Sequence, residues 1–212
     1  MSEKFARYFN LLRKDLLISR NLLFLVLYLL VVTLFLPIIF GGNDVSTTLN
    51  LIISIIVFEM IGFGSQQVLT SEKCNGNELI ITTKYTRKDI IYSRYLFFYL
   101  LSLVTSLGSF IIVAIFYPIM WLHFFYLLEY ILLVFIVDAI LIPLTFKIKN
   151  NLVFTMISVL LLMPYMLIIR NIGAIRKIMG FMSSCVLIFL LSIAITIISI
   201  KLSEIIYLNK NL

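Results

Sequence analysis

A chain of 212 residues that is 62% hydrophobic and 13% charged is not composed like a water-soluble domain, in which roughly 25% of residues are charged. Its formal net charge of +7 informs through its distribution, because the basic residues fall in short stretches between apolar runs long enough to cross a bilayer as helices. The composition therefore reads as an all-α, polytopic membrane protein of single-domain size, residues 1–212, with lipid and no nucleic acid among its partners.

Residues 1–21 open with an amphipathic pattern. Phe5, Tyr8, Phe9, Leu12 and Leu16 recur at helical spacing on one face, with Arg7, Asn10 and Lys14 opposite. A basic amphipathic helix of this kind lies in the membrane interface rather than crossing it. Two predicted spans follow, at about 22–40 and 48–69. The second carries Gly62 and Gly64, read as packing or bending positions, and an acid, Glu59. Charge in hydrocarbon is expensive, so Glu59 is expected either to face a translocation path or to hydrogen-bond between helices.

Residues 70–93 interrupt the apolar pattern. In "EKCNGNELIITTKYTRKDIIYSR", Asn75 with Glu78 and Thr86 with Asp89 each have the spacing of a capping box. The first box predicts a short helix over about 76–83, and the second a helix that starts near Arg87 and runs on into the third span, 94–117. A solvated loop is the alternative reading, since Lys and Arg alone satisfy topology. On the third span, Ser102, Thr105, Ser106 and Ser109 form a stripe of small residues suited to close helix contact.

"FYPIMWLHFFY", residues 116–126, collects the single Trp with Phe and Tyr, an interfacial belt in which His123 is read as a boundary side chain. The fourth span, 123–146, holds Glu129 near its outer end, where water is expected to reach it, and Asp138 deeper. The two stand nine residues apart and so on opposite faces; both are candidates for a translocation path. Pro143 lies in this span and Pro164 in the fifth, 152–169, and both are expected to kink their helices. After a loop containing Arg170, Arg176 and Lys177 comes the sixth span, 178–201, with Ser192, Thr196 and Ser199 as a second small-residue stripe.

Fourteen of the seventeen basic residues lie on the side of the termini and the 70–93 segment, so the positive-inside rule puts both termini in the cytoplasm. No cleavable signal peptide is read at the N-terminus. Cys74 and Cys185 occupy unlike settings, with no disulfide or metal-ligand spacing. The chain contains no phosphate loop, no zinc-protease motif and no nucleophile elbow. It reads as non-catalytic, with no metal or cofactor of its own.

The run "NGNELIITTKYTRKDIIYSRYL" resembles the first cytoplasmic loop of ABC-2 type transporter permeases, where a G-x-E-L-L-like helix precedes an LPVSR-K-x-I-V-x-S-K-Y-L-like stretch. The matching residues are Gly76, Glu78, Leu79, Thr86, Arg87, Lys88, Ile90, Ser93 and Tyr95. Lys84 stands where the family usually has proline, a departure that bears on the turn. The likeness extends to the layout of the whole chain and looks closest to small permeases of peptide exporters in low-GC Gram-positive bacteria, including the phenol-soluble modulin exporter type.

The resemblance implies a six-helix permease subunit in the bacterial plasma membrane that exports amphipathic or hydrophobic cargo, such as peptides. It implies a separate ABC ATPase subunit that binds ATP and Mg, and a second permease, identical or related. It makes the short helix of the 70–93 segment a coupling helix, with Leu79 and Ile80 as apolar anchors ringed by Asn75, Gly76, Asn77, Glu78, Thr82, Lys84 and Arg87. A stand-alone immunity or scaffold protein, and an intramembrane enzyme built on the three acids, are the competing readings. Cargo, direction of transport and identity of the second permease are not encoded in any motif.

Overall fold

The computed structural model describes residues 3–18, 61–62, 64–65, 68, 85–116, 121–148 and 150–208. The first predicted span, most of the second, and residues 70–84 lie outside them. Five long helices are described: α1 (Glu3–Ile18), α2 (Arg87–Phe116), α3 (Trp121–Lys147), α4 (Asn151–Met179) and α5 (Phe181–Leu208). No strand occurs among the described residues. In lipid this is the expected outcome, because a helix satisfies its own backbone.

Three of these helices contain segments long and apolar enough to cross a membrane: Arg87–Gly108, Phe124–Lys147 and Met182–Tyr207. Asn151–Tyr165 is a shorter apolar stretch. The third, fourth and sixth predicted spans thus fall on α2, α3 and α5, and the fifth on the apolar part of α4.

Local chemistry sets the helix ends. Thr86 and Asp89 close the anticipated capping box at the start of α2: Asp89 N donates to Thr86 Oγ1 at 3.2 Å and Thr86 N donates to Asp89 Oδ2 at 3.0 Å. At the start of α4, Asn150 Oδ1 accepts from Leu152 N at 2.9 Å and Val153 N at 3.3 Å. α4 ends at Gly180, whose φ of +79° is the left-handed conformation common just past a helix C-terminus.

The α4–α5 region corrects the sequence reading. Residues 170–177 form no loop; Arg170, Arg176 and Lys177 lie on α4, and a single residue separates it from α5. α5 also runs to Leu208, beyond the predicted boundary at 201. Both segments retain helix-forming sequence past their apolar cores, so hydropathy located the spans but understated the helices.

α3 is the central helix, packing on α5 most extensively and also on α2 and α4, while α1 packs on α2. The buried core includes Phe97, Phe98, Val134, Leu141, Ile142, Phe146 and Phe154. Gly64 of the second predicted span approaches α3 and α4 closely. A Cβ there would stand 2.5 Å from Phe154 Cζ and 3.6 Å from Thr145 Cγ2, which gives the packing reading of this glycine a definite partner.

α1 is helical as expected but turned. Leu11 and Asp15 are its most buried described residues, Tyr8 and Leu12 are half-buried, and Phe9 is 57% exposed. The bundle claims a face rotated from the aromatic one, leaving Phe9 available to a membrane interface.

Candidate functional site

Two polar layers tie the helices together. The first lies where α1 meets the start of α2. Arg94, one turn into the apolar part of α2, is 2% exposed. Its Nη1 donates to Thr145 Oγ1 on α3 at 3.1 Å, and its guanidinium lies 4.5 Å from the centre of the Phe146 ring. Phe146 in turn packs on Tyr207 of α5 at 5.0 Å between ring centres. Asp15 of α1 supplies the foremost favourable charge interaction with Arg94, and Tyr207 the next. One guanidinium therefore engages α1, α3 and, through Phe146, the end of α5. A planar, stacking cation suits this position better than the point charge of lysine.

Beside it, Arg87 Nη1 donates to the Tyr207 carbonyl at 3.3 Å. Tyr92 Oη donates to Glu204 Oε1 at 3.3 Å, and Lys88 Nζ lies 3.9 Å from the same oxygen. Lys88 is well exposed, so that ion pair contributes little by itself. Its value is directional, since all three contacts join the base of the 70–93 segment to the last turns of α5. Lys14 Nζ lies 3.8 Å from Asp15 Oδ1. Burial pushes the Lys14 amine below its usual value, with Asp15 opposing the shift. Burial, and then the neighbouring Asp89, push the Tyr8 hydroxyl up.

The second layer lies within the bundle and is made of hydroxyls and carboxyls. Tyr95 Oη shares hydrogen bonds with Ser199 Oγ at 2.5 Å and Ser203 Oγ at 2.9 Å, and Tyr99 Oη with Thr196 Oγ1 at 2.7 Å. Ser102 Oγ donates to Asp138 Oδ2. Ser199 Oγ also donates to the carbonyl of Ala139. That last bond has a covalent cause. Pro143, four residues on, has no N–H to offer the Ala139 carbonyl, and the α5 serine takes the place of the missing donor.

The acids named from sequence separate as their spacing requires. Asp138 bonds to α2 through Ser102, while Glu129 accepts from Ser184 Oγ of α5 at 3.4 Å. Glu129 is fully buried, which corrects the expectation that water reaches it. The neighbouring helix supplies a serine where an open outer end was anticipated. Asp138 Oδ1 has no hydrogen-bond partner among the described residues. Glu59 lies outside those residues, as do Asn75, Gly76, Asn77, Glu78, Leu79, Ile80, Thr82 and Lys84. Arg87 is described, and it turns inward onto Tyr207.

Sequence reasoning counted Arg94 as a topology charge and missed its burial. Asp15, Glu204 and Tyr207 were also passed over. The available signal was Arg94 itself, set one turn inside an otherwise apolar run. Among the described residues, no group of three His, Cys, Asp or Glu side chains could hold a metal ion. The arrangement joins helices.

No curated protein and no solved structure matches the chain. Residues 10–208, nearly its whole length, match the family described as "ABC-2 family transporter protein", and the chain belongs to that family of membrane transport components.

Proposed function

We propose that the chain is the permease subunit of an ATP-driven ABC exporter, moved by a separate ATPase that docks on residues 70–93. The observation that carries this reading is the anchorage of that segment's C-terminal arm. The capped start of α2 is continuous with a membrane span, and Arg87, Lys88, Tyr92 and Arg94 bind it to α5 and α3. A pull on the arm would then reach several helices at once. A loop serving only as a positive-inside signal has no need of such ties.

In this reading, Leu79 and Ile80 grip the ATPase within the polar rim formed by Asn75, Gly76, Asn77, Glu78, Thr82 and Lys84. Arg87 passes the displacement inward. ATP and Mg are held by the partner, both termini lie in the cytoplasm of a bacterial cell, and a second permease completes the path. Amphipathic or hydrophobic cargo, peptides foremost, suits a bundle whose accessible surface is dominated by apolar side chains.

Affinity purification from native membranes in mild detergent, with mass spectrometry, tests the proposal. A near-stoichiometric chain carrying a phosphate-loop motif is expected, and it should be lost on Leu79→Asp. A preparation without any ATPase, under conditions that preserve other such complexes, would sink the proposal and favour a stand-alone immunity or scaffold role. Cargo is tested separately, by ATP-dependent uptake of an amphipathic peptide into inverted vesicles.

A further inference from the structure

Between α3 and α4 lies a cavity of about 160 Å³, closed at one side by Ile61 of the second predicted span. Among the described residues its wall is apolar except for two hydroxyls, those of Ser158 and Tyr165. Both residues are more than nine-tenths buried, at 1% and 5% exposure. Neither Ser158 Oγ nor Tyr165 Oη has a hydrogen-bond partner among the described residues.

Four threonine hydroxyls in this bundle behave differently. Thr105, Thr145, Thr155 and Thr196 each donate to a carbonyl three or four residues back on their own helix. Ser158 does not take that route, although it sits on a helix that offers it. Pro164, also in the cavity wall, withholds an amide donor from the Leu160 carbonyl one turn earlier. Leu161 and Ile140 line the cavity while remaining 39% and 41% exposed. Their exposed sides mark a mouth on the surface that a membrane covers.

We propose that this cavity is a binding site for a compact apolar group carrying one hydrogen-bonding oxygen or nitrogen, reached from the lipid phase. The bulk follows from the volume, since a dry cavity of about 150 Å³ accommodates a benzene ring. The polar atom follows from the two hydroxyls that have no partner among the described residues, because buried polar groups in native proteins are nearly always paired. A lipid acyl chain has the right surface but brings no hydrogen-bonding atom to this depth. An alcohol, or an amide bearing a branched or aromatic chain, brings both. The inference stands apart from the transport reading, because occupancy is read without an ATPase or any cargo movement.

The test uses the full chain in phosphatidylglycerol nanodiscs and a hexanol carrying a diazirine. After photolysis, adducts should concentrate on residues 136–141 and 158–165, and benzyl alcohol should compete them away. Ser158→Leu, which fills the cavity, should abolish this labelling. Tyr165→Phe keeps the ring and should lower it about fivefold, the loss of one hydrogen bond. A diazirine-bearing hexane should label these segments no more than the other lipid-facing ones, in the parent chain and both variants alike. Even labelling along the lipid faces of α4 and α5 would overturn the proposal. So would equal labelling by the hydrocarbon probe, the signature of an acyl-chain groove, or undiminished labelling in Tyr165→Phe, the signature of hydroxyls served by trapped water. Tyr165→Phe deletes a hydroxyl that hydrogen-bonds to no described residue, so it decides the matter even where Ser158→Leu fails to fold.

Discussion

Both polar layers join α2, α3 and α5, by different means, and the first adds α1. At the α1 end, the contacts run through full charges: Arg87, Lys88, Arg94, Asp15 and Glu204. Deeper in the bundle, the same helices meet through Tyr, Ser and Thr hydroxyls and two carboxyls held by serines. Near water, a charge can be solvated at one end while it reaches inward. Deeper, each unpaired charge is costly, and short neutral donors do the joining. The first layer suits transmission of a displacement, and the second suits fixing the distance between helices.

The sharpest way to break this contrast is at Arg94, the one described cation that crosses from one regime into the other. Arg94→Ala should cost about 3 kcal/mol or more, since it removes a buried cation from beside Asp15 and empties a packed site. Arg94→Lys should recover only part of this loss, because lysine cannot stack on Phe146 while bonding Thr145. Thermal unfolding in detergent measures both. Equal stability of wild type and Arg94→Ala would mean that the first layer is ornamental.

Next in size is Gly64→Ala. Its new methyl meets the buried Phe154 ring, so overpacking of about 1–3 kcal/mol is expected in the same unfolding assay. A neutral result would mean that Phe154 has room to retreat.

The deeper layer is tested by restoring a donor. Ser199→Ala should cost about 1 kcal/mol by leaving the Ala139 carbonyl without its α5 partner. Pro143→Ala supplies the missing N–H within α3, so the same serine substitution should cost less in that background. Additive costs would show that the proline is not the reason for the bond.

The smallest effect is one of pH. Burial lowers the Lys14 pKa in the folded chain, so between that value and 10.5 the unfolded chain binds the extra proton and stability rises with pH. Tyr8 acts with the opposite sign above 10.0, because folding favours its neutral form. A melting-temperature series from neutral pH towards 10 should rise in wild type and be flatter in Lys14→Met. Identical slopes would remove Lys14 from the account.

Much of the helical layout was legible because it rests on short-range rules. The Thr86–Asp89 box, the apolar lengths of α2, α3 and α5, and the Ser-rich faces are properties of single segments. Glu129 and Asp138 could be placed on opposite faces by counting residues. The burial of Glu129 could not, because it depends on where Ser184 lies, fifty-five residues on. Arg94 was misread for a similar reason. Its position in the chain marks a boundary, and only the docking of α1 over it, with Thr145 and Phe146 beneath, turns that boundary into an interior. The orientation of α1 was missed because amphipathicity alone does not separate a face turned to lipid from one turned to protein. Pro143 was read as a kink, yet its clearest effect is to give α5 a carbonyl to bind.

The single-residue turn at Gly180 also bears on how this protein is made. Met179 and Phe181 are both helical, so their Cα atoms can stand no more than about 7 Å apart. There is no slack with which to deliver α4 to the bilayer and keep α5 waiting behind it. Insertion of one helix is therefore tied closely to insertion of the other, with the left-handed glycine at their junction. An L-residue at position 180, strained by the left-handed backbone although it has room for a side chain, would then be felt first during biogenesis, as a drop in the yield of inserted chain.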